Sequence, residues 1–197
     1  SLLARKNSQT LAMLGTGALS VPLVQAHASV MHFKNILIWG RQKNKALSVV
    51  AELKNLGIES TYSEDLSATL NKADVVAAAT TATEPFIISK WLKPGTHLGL
   101  IGAFTPQMAE AEPALMSKVQ IFADNRSAVL EKGGEILQAI DQGIISPSSI
   151  EGELSELASA PTRSWRNNDQ AITDFKSVGF ASLDLIAAEL VFQSKTK

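Results

Sequence analysis

Cysteine is absent from the chain, which excludes disulfides and thiolate metal sites. That absence fits a reducing compartment, and a cytoplasmic location is expected. Basic charge is not in surplus either. With 18 Lys and Arg against 19 Asp and Glu, the formal net charge is −1, so no nucleic-acid partner and no membrane surface is expected. No stretch reaches the ~20 unbroken apolar residues that a membrane span requires. Histidine is scarce: His27, His32 and His97 are the only three, none sits in an HExxH pattern, and all read as structural. One segment imitates a secretory signal, with Ala4-Arg5-Lys6, the apolar run from Leu11 to Val24, and the small residues Ala26 and Ala28. A Gly-Thr-Gly triplet interrupts that run and a strand-like Ile36-Leu37-Ile38-Trp39 follows it, so strand, turn and helix are the better reading.

What is present is a regular alternation. A chain of 197 residues with 45% hydrophobic content can bury one main core. Short β-rich runs occur at residues 10–14, 35–39, 59–62, 75–79, 97–101, 120–123 and 171–175. Helical patterns fall between them, at residues 18–33, 43–56, 64–72, 89–92, 113–117, 128–141 and 150–158. This order predicts an α/β fold: a Rossmann-like, doubly wound, mostly parallel sheet with flanking helices. Ala46, Val49, Val50, Leu53 and Leu56 form one helical stripe able to pack on the sheet. The runs at 35–39 and 75–79 are apolar throughout, as strands covered on both faces are, whereas 59–62 is polar enough for an edge. Residues 159–169 form a polar connector, and a last helix over 180–194 is expected to bury Leu183, Ile186, Ala187, Leu190 and Val191. The chain thus divides into residues 1–9, the end of a helix that starts upstream, a dinucleotide-binding domain over 10–175, and a returning helix over 176–197.

The first strand runs into Gly15-Thr16-Gly17-Ala18-Leu19-Ser20 and then a helix. That context gives a glycine loop its meaning. Gly15 permits a tight turn, Gly17 lets backbone approach a pyrophosphate, and the helix N-terminus presents amides to its charge. Ser20 stands where Gly or Ala is usual, and is small enough for close helix–strand packing. Without a cofactor the same residues would be an ordinary strand-to-helix turn.

The second strand ends in Trp39-Gly40-Arg41-Gln42-Lys43, and no acid occurs between Lys34 and Val50. An Asp or Glu at that place receives the ribose 2′-hydroxyl of NAD; an Arg accommodates the 2′-phosphate of NADP. Arg41, with Gln42 and Lys43 or Lys45, therefore predicts NADPH in preference to NADH. The bland alternative is a solvated basic cluster at a helix start.

Further loops at strand ends offer Thr80-Thr81-Ala82-Thr83-Glu84-Pro85, whose hydroxyls could border a ribose, and Gly102-Ala103-Phe104-Thr105, where Gly102 leaves room for a flat ring. Plain turn chemistry is the alternative for both. Glu110, Glu112, Glu131 and Glu135 read as solvated faces, and Asp124 as the cap of the next helix.

Together these residues resemble the ornithine cyclodeaminase/mu-crystallin family of NAD(P)-dependent proteins. The matching stretches are Gly15-Thr16-Gly17-Ala18, Ile38-Trp39-Gly40-Arg41, Ala73-Asp74-Val75-Val76, Thr83-Glu84-Pro85, Trp91 to Ala103, Gly152 to Leu157 and Thr173 to Asp184. The resemblance implies a second domain for substrate and dimerisation, built mainly from residues upstream, and a homodimer of the full-length protein. The Arg and Lys that grip the substrate carboxylate would lie there, so no catalytic residue is assigned here, and this stretch alone would bind cofactor without turnover. It also implies that the nicotinamide lies near Thr80, Thr81, Gly102, Ala103 and Val178, with Phe104, Ser177 and Gly179 towards the substrate. Cyclodeaminases of the family carry an Asp just after the glycine of the fifth-strand loop; Gly102-Ala103-Phe104-Thr105 has none. The implied activity is NADPH-dependent reduction of a cyclic ketimine, Δ1-pyrroline-2-carboxylate or Δ1-piperideine-2-carboxylate. A cyclodeaminase or alanine-dehydrogenase-like enzyme, and a non-catalytic NADPH-dependent binder of small ligands, are the alternatives.

Overall fold

A computed structural model of the chain describes residues 2–195. In chain order the elements are β1 (Thr10–Leu14), α1 (Ser20–Val30), β2 (Asn35–Trp39), α2 (Lys43–Asn55), β3 (Thr61–Tyr62), α3 (Leu66–Lys72), β4 (Val75–Ala78) and β5 (His97–Leu100). There follow β6 (Val119–Ala123), α4 (Arg126–Lys132), α5 (Gly134–Asp141), β7 (Ile150–Glu153), α6 (Leu154–Ser159), β8 (Ile172–Lys176) and α7 (Ala181–Lys195). Short 3-10 helices stand at Ser89–Trp91, Pro113–Lys118 and Pro147–Ser149.

The eight strands form one sheet in the order β3-β2-β1-β4-β5-β8-β6-β7, and every pairing is parallel. The chain runs outward from β1 through β2 to β3, then crosses back to lay β4 on the other side of β1. That reversal opens a crevice beyond the carboxyl ends of β1 and β4, the place where doubly wound sheets bind ligands. Period-two alternation sorts the central strands between two cores. Ala12, Leu14, Val76 and Ala78 face one of them, with α3 and α5; Leu11, Met13, Val75 and Ala77 face the other, with α1 and α2. Both faces are covered, so these strands read as unbroken apolar runs. On α2 the expected stripe buries Ala46, Val49 and Leu53, and β3 lies at the edge as its polarity predicts.

Several elements depart from expectation. Residues 150–158 are not one helix. Ile150 and Gly152 are buried while Glu151 is exposed, a strand alternation, and β7 pairs with β6 before Glu153 and Glu156 form the capping box that starts α6. The helix expected over 128–141 breaks at Gly133, whose ψ of 93° leaves helical geometry, into α4 and α5. The first helix is shorter than 18–33, β3 is only two residues, and the patterns at 89–92 and 113–117 are 3-10 turns. Residues 2–9 are irregular rather than the end of a helix; Ser1 lies outside the described residues. They are fastened as a strap. Leu3 is buried against Phe122, Leu157 and Trp165, and its carbonyl accepts from Arg166, while Arg5 pairs with Asp74 at 2.9 Å. The final helix begins at Ala181, and its apolar stripe is not buried: Ile186, Leu190 and Val191 are 53%, 62% and 57% exposed. Leu185 and Phe192, both 70% exposed, lie outside the expected stripe, so apolar side chains are spread around this helix rather than gathered on one face.

The acids also depart. Glu110 and Glu135, expected at solvated faces, are fully buried. They lie with Asp174 and Lys176 of β8 among the apolar side chains on one face of the sheet. Lys176 Nζ meets Glu135 Oε1 at 2.9 Å, both side chains inaccessible. Neither carboxyl oxygen of Asp174 has a hydrogen-bond partner. Burial raises the Asp174 carboxyl well above its ordinary value, and Glu135 and Glu110 add repulsion against the opposing Lys176 charge. The folded chain therefore favours the protonated form of Asp174. In the unfolded chain it ionises above about 3.9, so the stability present below that value is lost as pH rises, at up to about 1.4 kcal/mol per unit, until the folded value is passed. Asp174→Asn cannot ionise. Its Tm should fall less between about pH 5 and about pH 8 than that of the wild type; superimposable pH profiles would show Asp174 to be charged in the fold.

Candidate cofactor cleft

Gly15 adopts φ +119°, and a Cβ there would sit 2.6 Å from the Ala79 carbonyl oxygen. Glycine lets the turn after β1 close against the end of β4. Ser20, the departure at the third motif position, is fully buried, and its hydroxyl donates to the Gly15 carbonyl at 3.0 Å. A buried hydroxyl is tolerated because it is satisfied there. Beyond Gly17 a Cβ would meet nothing within 4 Å, so that backbone is open to a ligand. At the start of α1, Leu19 supplies no capping side chain and the first turn holds no acid. Its amides and helix dipole are available to an anion.

The crevice is a cleft of about 560 Å³, within the usual range for small-molecule sites. It is lined by Gly15, Thr16 and Gly17 after β1, by Trp39 to Gln42 and Lys45 at the end of β2, and by Ala79 to Phe86 after β4. Arg41, Gln42, Thr80 and Thr81 thus come together with the glycine turn. Arg41 is exposed and makes no ion pair among the described residues, whereas Lys43 lies 5.6 Å from the Tyr62 ring centre. Trp39 and Phe86 stack with ring centroids 5.6 Å apart and form one wall. These residues fit a dinucleotide: an open amide turn for pyrophosphate, a free guanidinium beside it and aromatic surface.

Other expected residues lie elsewhere. Ala18 borders a second hollow between α1 and α2, and Leu19 is half exposed. Gly102 leaves no room for a flat ring on its Cβ side, because a Cβ there would be 2.2 Å from the Thr80 carbonyl and 2.4 Å from Glu110 Oε1. Its glycine is required by strand-end packing instead. Ala103 is buried behind that contact, and Phe104 is 50% exposed. Val178 is half-buried against the core, and Gly179 is exposed with φ +75°.

Two carboxylates hold these loops, and sequence reading missed both. Glu110 accepts from the Thr80 and Gly102 amides, each at 2.7 Å. Burial raises its carboxyl and Glu135 adds to the rise, while Lys176 and the two amides oppose it. Asp124 does not cap α4; Asn125 does, by accepting from the Ala128 amide. Asp124 Oδ2 instead accepts from the Ser177 hydroxyl at 2.8 Å and from the amides of Val178 and Gly179 at 2.9 and 2.7 Å. The available signal for Glu110 was its place between Ala109 and Ala111, both fully buried. His97 is structural as expected: it is partly buried at the start of β5, desolvation drives its pKa down to about 3, and its Nδ1 lies 2.8 Å from the Thr173 hydroxyl.

The whole chain, residues 1–197, matches the model of the ornithine cyclodeaminase/mu-crystallin family. The chain belongs to this family. A Δ1-pyrroline-2-carboxylate reductase of Paracoccus denitrificans is 36% identical over 192 residues, 97% of this chain and 60% of the relative. Among solved structures, a Thermococcus litoralis Δ1-pyrroline-2-carboxylate reductase in complex with NADH and L-proline superposes with a TM-score of 0.92 at 30% identity. That match covers 98% of this chain and 59% of the other. An iminosuccinate reductase of Paracoccus denitrificans in complex with NAD+ gives 0.87 at 28% identity, over 98% and 58% of the two chains. The chain therefore spans about three fifths of the length of the family members it matches. Among the described residues no helix is long and apolar enough to cross a membrane, and no cluster of three or more His, Asp or Glu could hold a metal ion.

Removing the Asp124 carboxylate should free the family's Ser177–Gly179 loop. In Asp124→Ala, amide exchange at Val178 and Gly179 is expected to quicken by at least about tenfold, read by NMR, since hydrogen bonds to a charged group contribute about 1.5–3 kcal/mol. Unchanged exchange would show the loop to be held by its backbone alone.

Proposed function

We propose that this chain is the dinucleotide-binding part of an NADPH-dependent reductase that converts a cyclic ketimine, Δ1-pyrroline-2-carboxylate or Δ1-piperideine-2-carboxylate, to L-proline or L-pipecolate. The observation that carries the cofactor choice is Arg41, unpaired in the crevice beside the glycine turn, with no acid at the end of β2. The named relatives support imine reduction. The acid-free Gly102–Thr105 loop favours it over cyclodeamination, in which the family carries an Asp at that place.

The turn at Gly15–Gly17 would take the pyrophosphate, and Arg41 with Gln42 and Lys45 the 2′-phosphate. Thr80 and Thr81 would border the ribose on the nicotinamide side, with Gly102, Ala103 and Val178 behind the ring. When bound, the dihydronicotinamide supplies the hydride that adds to the imine carbon as the imine nitrogen gains a proton. Ser177 and Gly179, held by Asp124, and Phe104 would close over the substrate and exclude water. The homodimer and the cytoplasmic setting implied by the family belong to the same proposal.

One observation favours a second cofactor. The two solved relatives described above hold NADH and NAD+, which lack the 2′-phosphate. Full-length protein assayed with each cofactor and with pyrroline-2-carboxylate or ornithine separates the readings. Arg41→Ala should raise the KM for NADPH by about tenfold to a hundredfold and leave that for NADH nearly unchanged, the worth of one charged hydrogen bond. Equal effects on both would reject the 2′-phosphate assignment, and ammonia release from ornithine would reject the reductase.

A further inference from the structure

Outside the cleft lining, the feature most closely tied to it is the Glu110 carboxylate. It lies beneath the crevice, fully buried, and divides its two oxygens between backbone amides of two different loops. Oε1 takes Thr80, the second residue after β4, and Oε2 takes Gly102, the second residue after β5. The contact is tight. The Gly102 Cα faces the Thr80 backbone so closely that a Cβ would be 2.2 Å from its oxygen and 2.4 Å from its nitrogen. Glu110 is itself anchored: its carbonyl accepts from the Phe86 and Ile87 amides at 3.0 and 2.9 Å, and the Ala109 amide donates to Ala82 at 3.0 Å. The segment containing it is thereby laced along the whole loop that lines one side of the cleft.

We propose that Glu110 is a positioning residue for the nicotinamide end of the bound cofactor, setting the separation of the β4 and β5 loops on which that end rests. The inference deepens the dinucleotide reading and rests on it. Because Glu110 consumes the Thr80 and Gly102 amides, neither is free to bond a ligand, and the carboxylate acts through loop placement alone. The adenosine half lies against the β1 turn and the end of β2, which Glu110 does not touch. Its removal should therefore separate the two halves of the ligand. Charged and titratable groups facing it are Glu135 from α5 and Lys176 and Asp174 from β8.

Glu110→Gln tests this, since an amide offers one acceptor where two N–H groups converge, and its own NH2 must oppose the other. Two probes are compared in the full-length protein: NADPH, and 2′-phospho-ADP-ribose, which keeps the adenosine half, the pyrophosphate and the second ribose but has no nicotinamide. The expected result is about tenfold weaker NADPH binding with loss of the wild-type shift in its emission, while the fragment binds within about twofold of wild type. In turnover, kcat should fall more than the KM for the imine rises, and Glu110→Asp, which keeps a carboxylate that reaches one amide, should recover part of it. Wild-type NADPH affinity and emission in Glu110→Gln, or equal weakening of both probes, would overturn the proposal. A wild-type protein that binds neither probe overturns the nucleotide reading itself, and this inference with it. If Glu110→Gln does not fold, the wild type decides by NMR: the Thr80 and Gly102 amide shifts should titrate together, and the emission of bound NADPH should follow the same curve. Emission that stays flat through that titration would sink the proposal.

Discussion

The Ala79 carbonyl oxygen stands where a side chain on residue 15 would begin, and the absence of that side chain lets the turn after β1 fold against the end of β4. The crevice depends on this contact. Parallel order places β1 and β4 side by side, and the reversal of winding at that point sends the loops after them to opposite sides. A methyl group at residue 15 would push the turn off the Ala79 carbonyl and away from the start of α1, whose unsatisfied amides supply fixed positive potential on the β1 side. Backbone packing and anion affinity are thus one constraint. Ser20 shows how tightly it is drawn, since its hydroxyl fits only by returning a hydrogen bond to Gly15.

Farther along the sheet, buried carboxylates do what backbone packing does at Gly15. Glu110 joins the loops after β4 and β5, and Asp124 joins the end of β6 to the loop after β8. Each gathers amides that have no partner in the sheet ladder, which is why acids occur in an interior that would otherwise reject them. The Lys176–Glu135 pair is of a different kind. Buried pairs repay their desolvation poorly as a whole, yet removing one partner typically costs about 3–5 kcal/mol, so such a pair fixes arrangement more than it stabilises. Its place is telling: Lys176 is the last residue of β8, and Ser177 of the Asp124-held loop comes next.

The parts of this architecture that the sequence made legible are those governed by local pattern. Unbroken apolar runs marked β2 and β4, the helical stripe marked α2, and the glycine turn between strand and helix marked the crevice. What stayed hidden was set by distant residues. β7 has four residues and a strand alternation too brief to outweigh the helical pattern continuing into α6. Glu110 looked like a surface acid and Asp124 like a helix cap because the amides they serve lie up to 30 and 55 positions away. The apolar residues of α7 were expected to be buried and are exposed, since spacing along a helix does not report what stands opposite it.

The same distinction bears on cofactor choice. An exposed guanidinium in water is screened and by itself discriminates little. Arg41 gains its leverage only when a ligand phosphate covers it and excludes solvent, so its contribution would be realised in the complex and not in the free cleft. The missing acid acts differently. A carboxylate at the end of β2 would repel a 2′-phosphate and reward a 2′-hydroxyl, and none lies between Lys34 and Val50. Lys43 is turned to the Tyr62 ring, which leaves Arg41 and Lys45 as the basic side chains lining the cleft. Preference for the phosphorylated cofactor would then come as much from a repulsion that is absent as from the attraction present. A chain built this way should tolerate NADH, losing only the Arg41 contribution, whereas one with an acid in that place should reject NADPH outright.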